Sequence, residues 1–439
     1  MLTDKKLLLA ALTAAPLLLA GSALGQGLGN SPYSRIGLGD FTGNLGGVRQ
    51  LGMGGVGQAA PNTGNINELN PALLVYTPRT MFEAGFNGQY KNVRNATDSY
   101  RVGSGTLGYL AFAVPINKRW AAAVGLKPYS AIDYDVSSTE AVNGDPYTLA
   151  YRRYQGKGGL SEAYFAHGIH VLRDFNIGGS ASFLFGTLDQ TNSTGFAANT
   201  SVRREQLRYA DFLMRAGVHY RHKFGKSLNV NLGGTHTFQT NTKVSRSRTL
   251  EQQDVNGAIV TGTTVQSLLD DSGHTFIPGN TQVGISIDNS RNFSINVDGG
   301  VQQWSKYQAF GDAIRSPLSN TWRVGAGGEF TPDPGSVEHY FRRVTYRFGL
   351  SVAQMPYRPN GQVLYDRAVH WGFAFPLPTA TALESTLVSV AFLYGIRGNT
   401  DYLYGGSASS SSSNVRENYL RAQLGVTLSN RWFIKRRLQ

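Results

Sequence analysis

The sequence contains no cysteine among its 439 residues. Disulfides, thiolate nucleophiles and cysteine-ligated metals are therefore excluded, and no cysteine is present to receive a lipid anchor. A chain without thiols suits the cell envelope, where uncontrolled disulfides form readily.

Long apolar runs are also missing beyond residue 25, because charged or amide side chains interrupt every stretch. A spanning helix needs roughly 20 apolar residues, so none is predicted there. Spanning strands remain possible, because each needs only about 9–11 residues of alternating character. Charged residues are scarce at 16%, whereas glycine (53 residues) and aromatic residues (11%) are abundant. This composition favours a membrane barrel over a soluble domain.

The N-terminus has the three parts of a secretory signal peptide. Two lysines precede an apolar run over residues 7–20, and small residues follow at Ala23 and Gly25. The run is shorter than the roughly 20 residues of a membrane span, which disfavours a retained anchor helix. We predict that residues 1–25 are removed and that the mature chain begins near Gln26.

The main signal is an alternation of apolar and polar residues with period 2. One face of the last such segment holds Leu420, Ala422, Leu424, Val426 and Leu428. In a membrane barrel, alternate side chains face lipid and lumen, which produces this pattern. About fourteen segments show it, near residues 79–92, 103–115, 119–134, 161–172, 176–189, 207–222, 227–242, 276–288, 292–305, 320–331, 341–354, 365–377, 385–397 and 417–430.

The connections between these segments are alternately short and long, as in outer-membrane barrels with short periplasmic turns and longer external loops. The predicted long loops include 135–160, 190–206 and 243–275. Closure is required because an open sheet edge cannot face lipid. We therefore predict an all-β fold: a transmembrane antiparallel β-barrel over residues 79–430, in the outer membrane of a Gram-negative bacterium, followed by a basic tail at 431–439.

Residues 26–78 precede the first strand and do not alternate. They are rich in glycine, too long for an ordered tail without purpose and too small to fold alone. A barrel of about fourteen strands leaves an interior that must be filled or gated. We predict that this segment enters the lumen as a plug; the alternative is a periplasmic extension.

Several short motifs point to a known family. The glycine-rich Leu51-Gly52-Met53-Gly54-Gly55 is followed by Asn70-Pro71-Ala72. The sequence resembles the FadL family of outer-membrane transport proteins over nearly the whole mature chain. Further pieces of the resemblance, in order, are Gln155–Leu160, Ala181–Gly186, Gln303–Ser305, Phe330–Pro332, Thr345–Gly349 and Asn430–Lys435.

The resemblance implies a fourteen-stranded barrel with an N-terminal hatch, and diffusion of hydrophobic compounds, including long-chain fatty acids, through a gated lumen. It places Asn70, Pro71 and Ala72 in the hatch as plug or gate residues. The chain departs from the family by ending on a basic tail instead of an aromatic residue, and its substrate pocket cannot be matched residue by residue.

Charged residues on the polar faces of the predicted strands are candidate lumen residues. One interpretation is that they pair with each other and anchor the plug. Another is that an arginine among them meets a substrate carboxylate, which suits its bidentate geometry. The candidates are Glu83, Asp211, Arg215, Asp298, Arg323, Glu329, Arg347 and Arg421.

Other chemical motifs fail on their context. The G-x-G-x-x-G pattern at residues 52–57 lacks the βαβ unit that a dinucleotide site requires. His167 and His170, like His219 and His222, are three residues apart and so lie on opposite faces of a strand. No spacing singles out a Ser, a His and an acid for nucleophilic catalysis. We predict no cofactor, no metal and no enzymatic activity.

Basic residues outnumber acidic ones, 41 to 28. They are scattered, apart from a short cluster at Lys435-Arg436-Arg437. We therefore expect contact with membrane lipid head groups and no nucleic-acid partner.

Two functions remain open from the sequence. The first is passive outer-membrane transport of hydrophobic, fatty-acid-like small molecules through the plugged barrel. The alternative is a non-transporting barrel that acts as a scaffold or accessory partner in protein secretion or envelope assembly, binding a protein through its external loops. An opening in the wall or an apolar lumen pocket would favour transport, and a sealed polar lumen would favour a scaffold.

Overall fold

The computed structural model describes residues 31–41, 45–142, 145–196, 199–225, 227–254, 256–310, 318–379, 384–401 and 414–430. The predicted signal peptide, residues 26–30 and 42–44 of the predicted plug, and the basic tail lie outside the described residues. None of the helices in the described ranges is long and apolar enough to cross a membrane.

Strands dominate the structure. They are β1 (Asp40–Phe41), β2 (Thr80–Arg94), β3 (Ser99–Asn117), β4 (Trp120–Val142), β5 (Asp145–Leu172), β6 (Phe175–Phe196), β7 (Asn199–Phe224), β8 (Leu228–Thr237), β9 (Thr240–Gln253), β10 (Gln266–Ile277), β11 (Asn280–Asp288), β12 (Phe293–Gln302), β13 (Thr321–Phe330), β14 (Thr345–Gln354), β15 (Tyr365–Leu377), β16 (Ser385–Gly398) and β17 (Arg416–Asn430). The helical elements are α1 (Val48–Leu51) and 3-10 helices at Pro32–Arg35, Pro71–Tyr76, Trp304–Lys306, Tyr340–Arg342 and Pro359–Gly361.

Strands β2 to β17 close into a barrel, because β17 pairs antiparallel with β2 from Arg416↔Arg94 to Asn430↔Thr80. Strands β8 and β9 together form one barrel strand, and β10 and β11 form the next, each pair being separated by two residues. The barrel therefore has fourteen strands, all antiparallel to their neighbours. The predicted fold class is confirmed.

The two faces of the barrel differ as the alternation predicted. Large apolar side chains such as Phe86, Phe212, Ile295 and Phe348 are exposed on the outer face, where lipid would cover them. Their strand neighbours point inward and are mostly buried. Below, the end where β2 begins is called the turn end, and the end where β2 finishes is called the loop end.

The predicted loops 135–160, 190–206 and 243–275 are largely wrong. Strands β4 to β7, β9 and β10 extend through most of these residues as long hairpins. Their outer face is charged; for example, Arg153 pairs with Asp135 at 2.5 Å while both stay exposed. Since the outer face of these extensions carries charged residues, the apolar-out alternation that marks a strand in lipid is lost there.

An apolar cluster fills part of the lumen towards the loop end. Leu38, which precedes the barrel, is fully buried within it. The cluster consists of Leu38, Ile132, Tyr134, Leu160, Leu184, Leu188, Tyr209, Leu213, Val244, Ile277, Trp304, Tyr307 and Leu318. Inward-facing apolar residues in this half of the barrel differ from the polar interior of a water-filled pore.

Candidate functional site in the barrel lumen

Residues 45–78, here called the lumen segment, lie inside the barrel. Helix α1 buries Val48 and Leu51 against Ala391 and Leu393 of β16. The Val48 N–H also donates to the Tyr109 hydroxyl of β3 at 3.3 Å. The segment is thus held by several strands around the lumen.

The Asn70-Pro71-Ala72 triplet begins a 3-10 helix that sits directly on the barrel wall. The Asn70 side chain accepts from the Ala72 N–H at 3.0 Å and donates to the Gln58 and Val218 carbonyls at 2.7 and 3.0 Å. It therefore caps its own helix and ties two other parts of the chain together.

A row of three wall glycines makes this close approach possible. Gly168, Gly178 and Gly217 are direct neighbours across β5, β6 and β7. A Cβ at any of the three would come within 3.0 Å of backbone or side-chain atoms of residues 70–72. The wall has no side chains where the triplet packs against it, and side chains at these three positions would displace the triplet.

The charged candidates divide into two groups. Five of them bind the lumen segment. Glu83 contacts residues 65–66, Arg215 contacts residue 68, and Asp298 contacts residues 57–58. Arg323 contacts residues 54–55, and Glu329 contacts residue 49. Arg347 joins the same network through Glu329. Arg421 instead donates to Gln89 of the wall, and the Asp211 carboxylate accepts backbone N–H groups of Phe212 and Lys243.

The strongest of these anchors is a buried ion cluster. Glu329 of β13 accepts from Arg49 Nη2 at 2.6 Å and from Arg347 Nε at 3.1 Å. The side chain of Arg49 is 1% exposed. Two guanidinium groups thus share one carboxylate in a site that water hardly reaches, where removing a partner is costly.

Glu68 of the lumen segment lies among charged residues of the barrel wall. It lines two small cavities, one shared with Lys127, Glu162 and Arg215, the other with Lys127 and Arg421. Its Oε1 is buried and has no hydrogen-bond partner among the described residues. Burial raises the pKa of Glu68 to about 7, although nearby Lys127 lowers it.

We expect the lumen segment to be held less tightly as pH rises through about 7. The pKa of Glu68 is higher in the folded chain than in the unfolded one, so the stability of its neutral form is present at low pH and lost as the group ionises. Glu68→Gln should keep residues 66–76 protected at pH 8. Hydrogen-exchange protection factors at pH 6 and pH 8 would measure this.

Glu338→Gln, the same change at an exposed residue, is the control and should leave the wild-type pH dependence intact. Equal loss of protection in Glu68→Gln and wild type would show that Glu68 does not titrate in this range.

The wall is interrupted between β3 and β4. The two strands pair from Asn117↔Trp120 to Leu110↔Leu126. Beyond Leu110, β3 pairs with β2 and β4 pairs with β5, but no pair joins β3 to β4 in the described residues. The break begins near Pro128, which has no N–H to donate, at a register shift in β4.

Residues 31–41, here called the N-terminal segment, cover this break from inside. Its strand β1 pairs with the free edge of β4 at Asp40↔Ala131 and Phe41↔Ser130. On its other side, the segment lines a cavity of about 190 Å³ with Trp304 and Leu318. The N-terminal segment therefore stands between the break and the cavity.

Polar contacts fasten the N-terminal segment at the loop end. Asp40 pairs with Arg397 of β16 at 2.9 Å, and Arg397 also pairs with Asp366 at 3.1 Å. Ser31 donates to Glu417, and the Tyr33 hydroxyl donates to the Val415 carbonyl.

Sequence reasoning missed several residues of this site. Arg49, Glu68 and Lys127 are buried charges, and the one signal for them is a lone charge within a glycine-rich or apolar stretch. It also missed that His170 and His219, on different strands, both contact Asn176, at 2.5 and 3.0 Å. Within the described ranges, no group of three or more metal-ligating side chains is placed to hold an ion.

The fold is thus a closed fourteen-stranded antiparallel barrel with a chain segment in its lumen. Solved structures share the fold. A FadL homologue of Pseudomonas aeruginosa aligns with a TM-score of 0.57 at 11% identity, over 88% of this chain and 98% of that one. The toluene transporter TbuX of Ralstonia pickettii gives 0.54 at 14% identity, over 88% and 98% of the two chains.

The monoaromatic hydrocarbon channel CymD gives a TM-score of 0.54 at 15% identity, over 90% of this chain and 99% of that one. The BamG family model matches residues 5–439, and the chain belongs to the BamG family. No curated protein sequence matches the chain.

Proposed function

We propose that this protein is an outer-membrane channel for hydrophobic small molecules, which cross by passive diffusion and undergo no chemical reaction. The observation that supports this most is the break between β3 and β4 beside an apolar part of the lumen. Residues 1–25 then serve as its export signal, and the N-terminal and lumen segments together form its plug.

The cavity of about 190 Å³ beside the N-terminal segment, here called the loop-end cavity, has a lining that suits an apolar solute. Leu38, Phe41, Trp304, Leu318 and Met355 all contribute to it. Transfer of apolar surface from water to such a lining is favourable by about 25 cal/mol per Å². A polar pore filled with water would offer no such gain.

The break in the wall suits entry from, or exit to, the membrane. An open sheet edge in lipid leaves backbone groups unsatisfied, but here β1 takes over part of the pairing of β4. Displacing β1 would join the cavity to the break. We propose that the N-terminal segment is the gate.

Structural relatives agree with this substrate class. Two of them are described as a toluene transporter and a monoaromatic hydrocarbon channel. We propose a fatty-acid-like or small aromatic substrate for this chain. Arg323 also lines the cavity, and it could meet a carboxylate head group.

Locking the gate should stop transport. Phe41→Cys with Ser130→Cys places two thiols at paired positions of antiparallel strands, a spacing that a disulfide can bridge. The chain has no other cysteine. We expect liposomes holding the reduced variant to take up a labelled long-chain fatty acid and a small aromatic hydrocarbon, and the oxidised variant to fall to the rate of empty liposomes.

Each single-cysteine variant is the control, and its uptake should be the same under oxidising and reducing conditions. Equal uptake by the oxidised and reduced double variant would rule out the N-terminal segment as the gate. Uptake by the wild-type protein no faster than by empty liposomes, for both compounds, would rule out the channel itself.

A second candidate function is the non-transporting barrel. It is favoured by the lumen segment, whose ion cluster at Arg49, Glu329 and Arg347 lies between the loop-end cavity and the turn end. The long hairpins β4–β5, β6–β7 and β9–β10 would then offer the surface for a protein partner. The same uptake measurement decides between the two functions.

A further inference from the structure

A second cavity, here called the turn-end vestibule, opens on the opposite side of the lumen segment. Its volume is about 390 Å³, and residues 61–65 of the lumen segment form part of its lining. Its lining is biased towards positive charge: among the described residues, four arginines line it (Arg221, Arg291, Arg343 and Arg347) and two acids (Asp288 and Glu329).

The two carboxylates are already occupied. Asp288 accepts from Arg221 at 3.1 Å and from the side-chain amides of Asn229 and Asn231 at 3.0 and 2.6 Å. Glu329 is shared between Arg49 and Arg347. Neither acid therefore neutralises the remaining positive charge of the vestibule.

Two guanidinium groups retain free donors. Arg347 Nη1 and Arg343 Nε are both buried and have no hydrogen-bond partner in the part of the chain that the structure describes. The Arg347 side chain is 2% exposed. Buried charged donors without partners are costly, and an anion would satisfy them.

Neutral groups complete the lining. Thr331 and Thr345 share one hydrogen bond at 2.8 Å, so the hydroxyl that accepts it can donate to an oxyanion, while Phe293 and Leu387 provide an apolar side. A cavity with cationic donors on one side and apolar carbon on the other fits an amphiphile with a charged head.

We propose that the turn-end vestibule binds the anionic head group of an amphiphile, a carboxylate or a phosphate monoester. Arg343 and Arg347 hold the oxyanion, and Phe293 and Leu387 contact the first carbons of the chain. The site is independent of the proposed channel, because a scaffold barrel could bind the same ligand.

Binding can be measured by titration calorimetry on the purified protein in a nonionic detergent. The probes are hexanoate, hexyl phosphate, inorganic phosphate and hexanol. We expect hexanoate or hexyl phosphate to bind, and Arg343→Gln to weaken that binding by at least about tenfold, the effect of losing one charge-assisted hydrogen bond. Arg342→Gln, the adjacent exposed arginine outside the cavity, should bind as the wild type does.

The probes separate the sources of the anion. Inorganic phosphate binding as tightly as hexyl phosphate would overturn the amphiphile and leave a free-anion site. Hexanol binding as tightly as hexanoate would overturn recognition of the head group. Absence of binding by every anionic probe, or equal weakening in Arg342→Gln and Arg343→Gln, would overturn the site.

Folding and transport are checked separately. A folded barrel migrates faster on SDS gels before boiling than after it, so this difference reports whether each variant is folded. If Arg343→Gln does not fold, Arg291→Gln provides a second variant. Uptake of a neutral aromatic hydrocarbon needs no head-group site. Loss of anion binding with normal uptake of the hydrocarbon would therefore concern the vestibule alone.

Discussion

Gly178→Val is expected to drive the Asn70-Pro71-Ala72 turn off the barrel wall while leaving the barrel closed. A Cβ at Gly178 would overlap the backbone of Pro71 and Ala72. Overpacking a core costs about 1–3 kcal/mol, and occasionally more. We expect the upper part of this range, because backbone atoms are less able to move aside than the end of a flexible side chain.

Hydrogen exchange of residues 66–76 would measure the displacement. Exchange should rise towards that of an open segment, since the local stability of the segment is lost and that of the barrel is not. Gly179→Val is a matched control: it lies on the same strand, and the nearest atom to its Cβ would be the Arg215 carbonyl oxygen at 3.8 Å. Equal exchange in the two variants would show that the glycine row does not seat the turn.

Glu329→Gln is expected to release residues 45–60 of the lumen segment from the barrel wall. The change leaves Arg49 and Arg347 charged and buried without their carboxylate. Breaking a buried ion pair by removing one partner costs about 3–5 kcal/mol. Hydrogen exchange of residues 45–60 should therefore increase by several orders of magnitude, unless exchange through full opening sets a lower limit.

Asp135→Asn removes an ion pair of similar length at the surface, where Arg153 is 44% and Asp135 is 49% exposed. Exposed pairs contribute about 0–1 kcal/mol, so this control should change exchange little. Arg49→Gln combined with Glu329→Gln should be less disturbed than the sum of the single changes, since the unpaired charge of Arg49 is gone. Strict additivity would contradict direct coupling between the two residues.

The barrel was predictable because its physics is local. Apolar and polar residues alternate where one face of a strand meets lipid and the other face meets the lumen, as at Leu420, Leu424 and Leu428 of β17. Fourteen segments with this property are enough to give the strand number and the antiparallel order. The alternation stops where the hairpins leave the membrane, so sequence reasoning placed their ends too early.

The candidate site was only partly predictable. Glu329 and Arg347 were recognisable as inward-facing charges from the period of their strands. Their partner Arg49 was not, because 280 positions separate it from Glu329 in the chain. The break beside Pro128 was also hidden, since the sequence does not state which strand edges remain paired.

The sequence by itself therefore determined the class of protein, the number of its strands and the faces of their side chains. The tertiary structure decided how the lumen is used. Gly168, Gly178 and Gly217 form a seat for Asn70 because three strands align in register, and β1 closes the wall because an edge of β4 is free to pair. Each of these contacts depends on residues distant in the chain, which only closure of the barrel brings together.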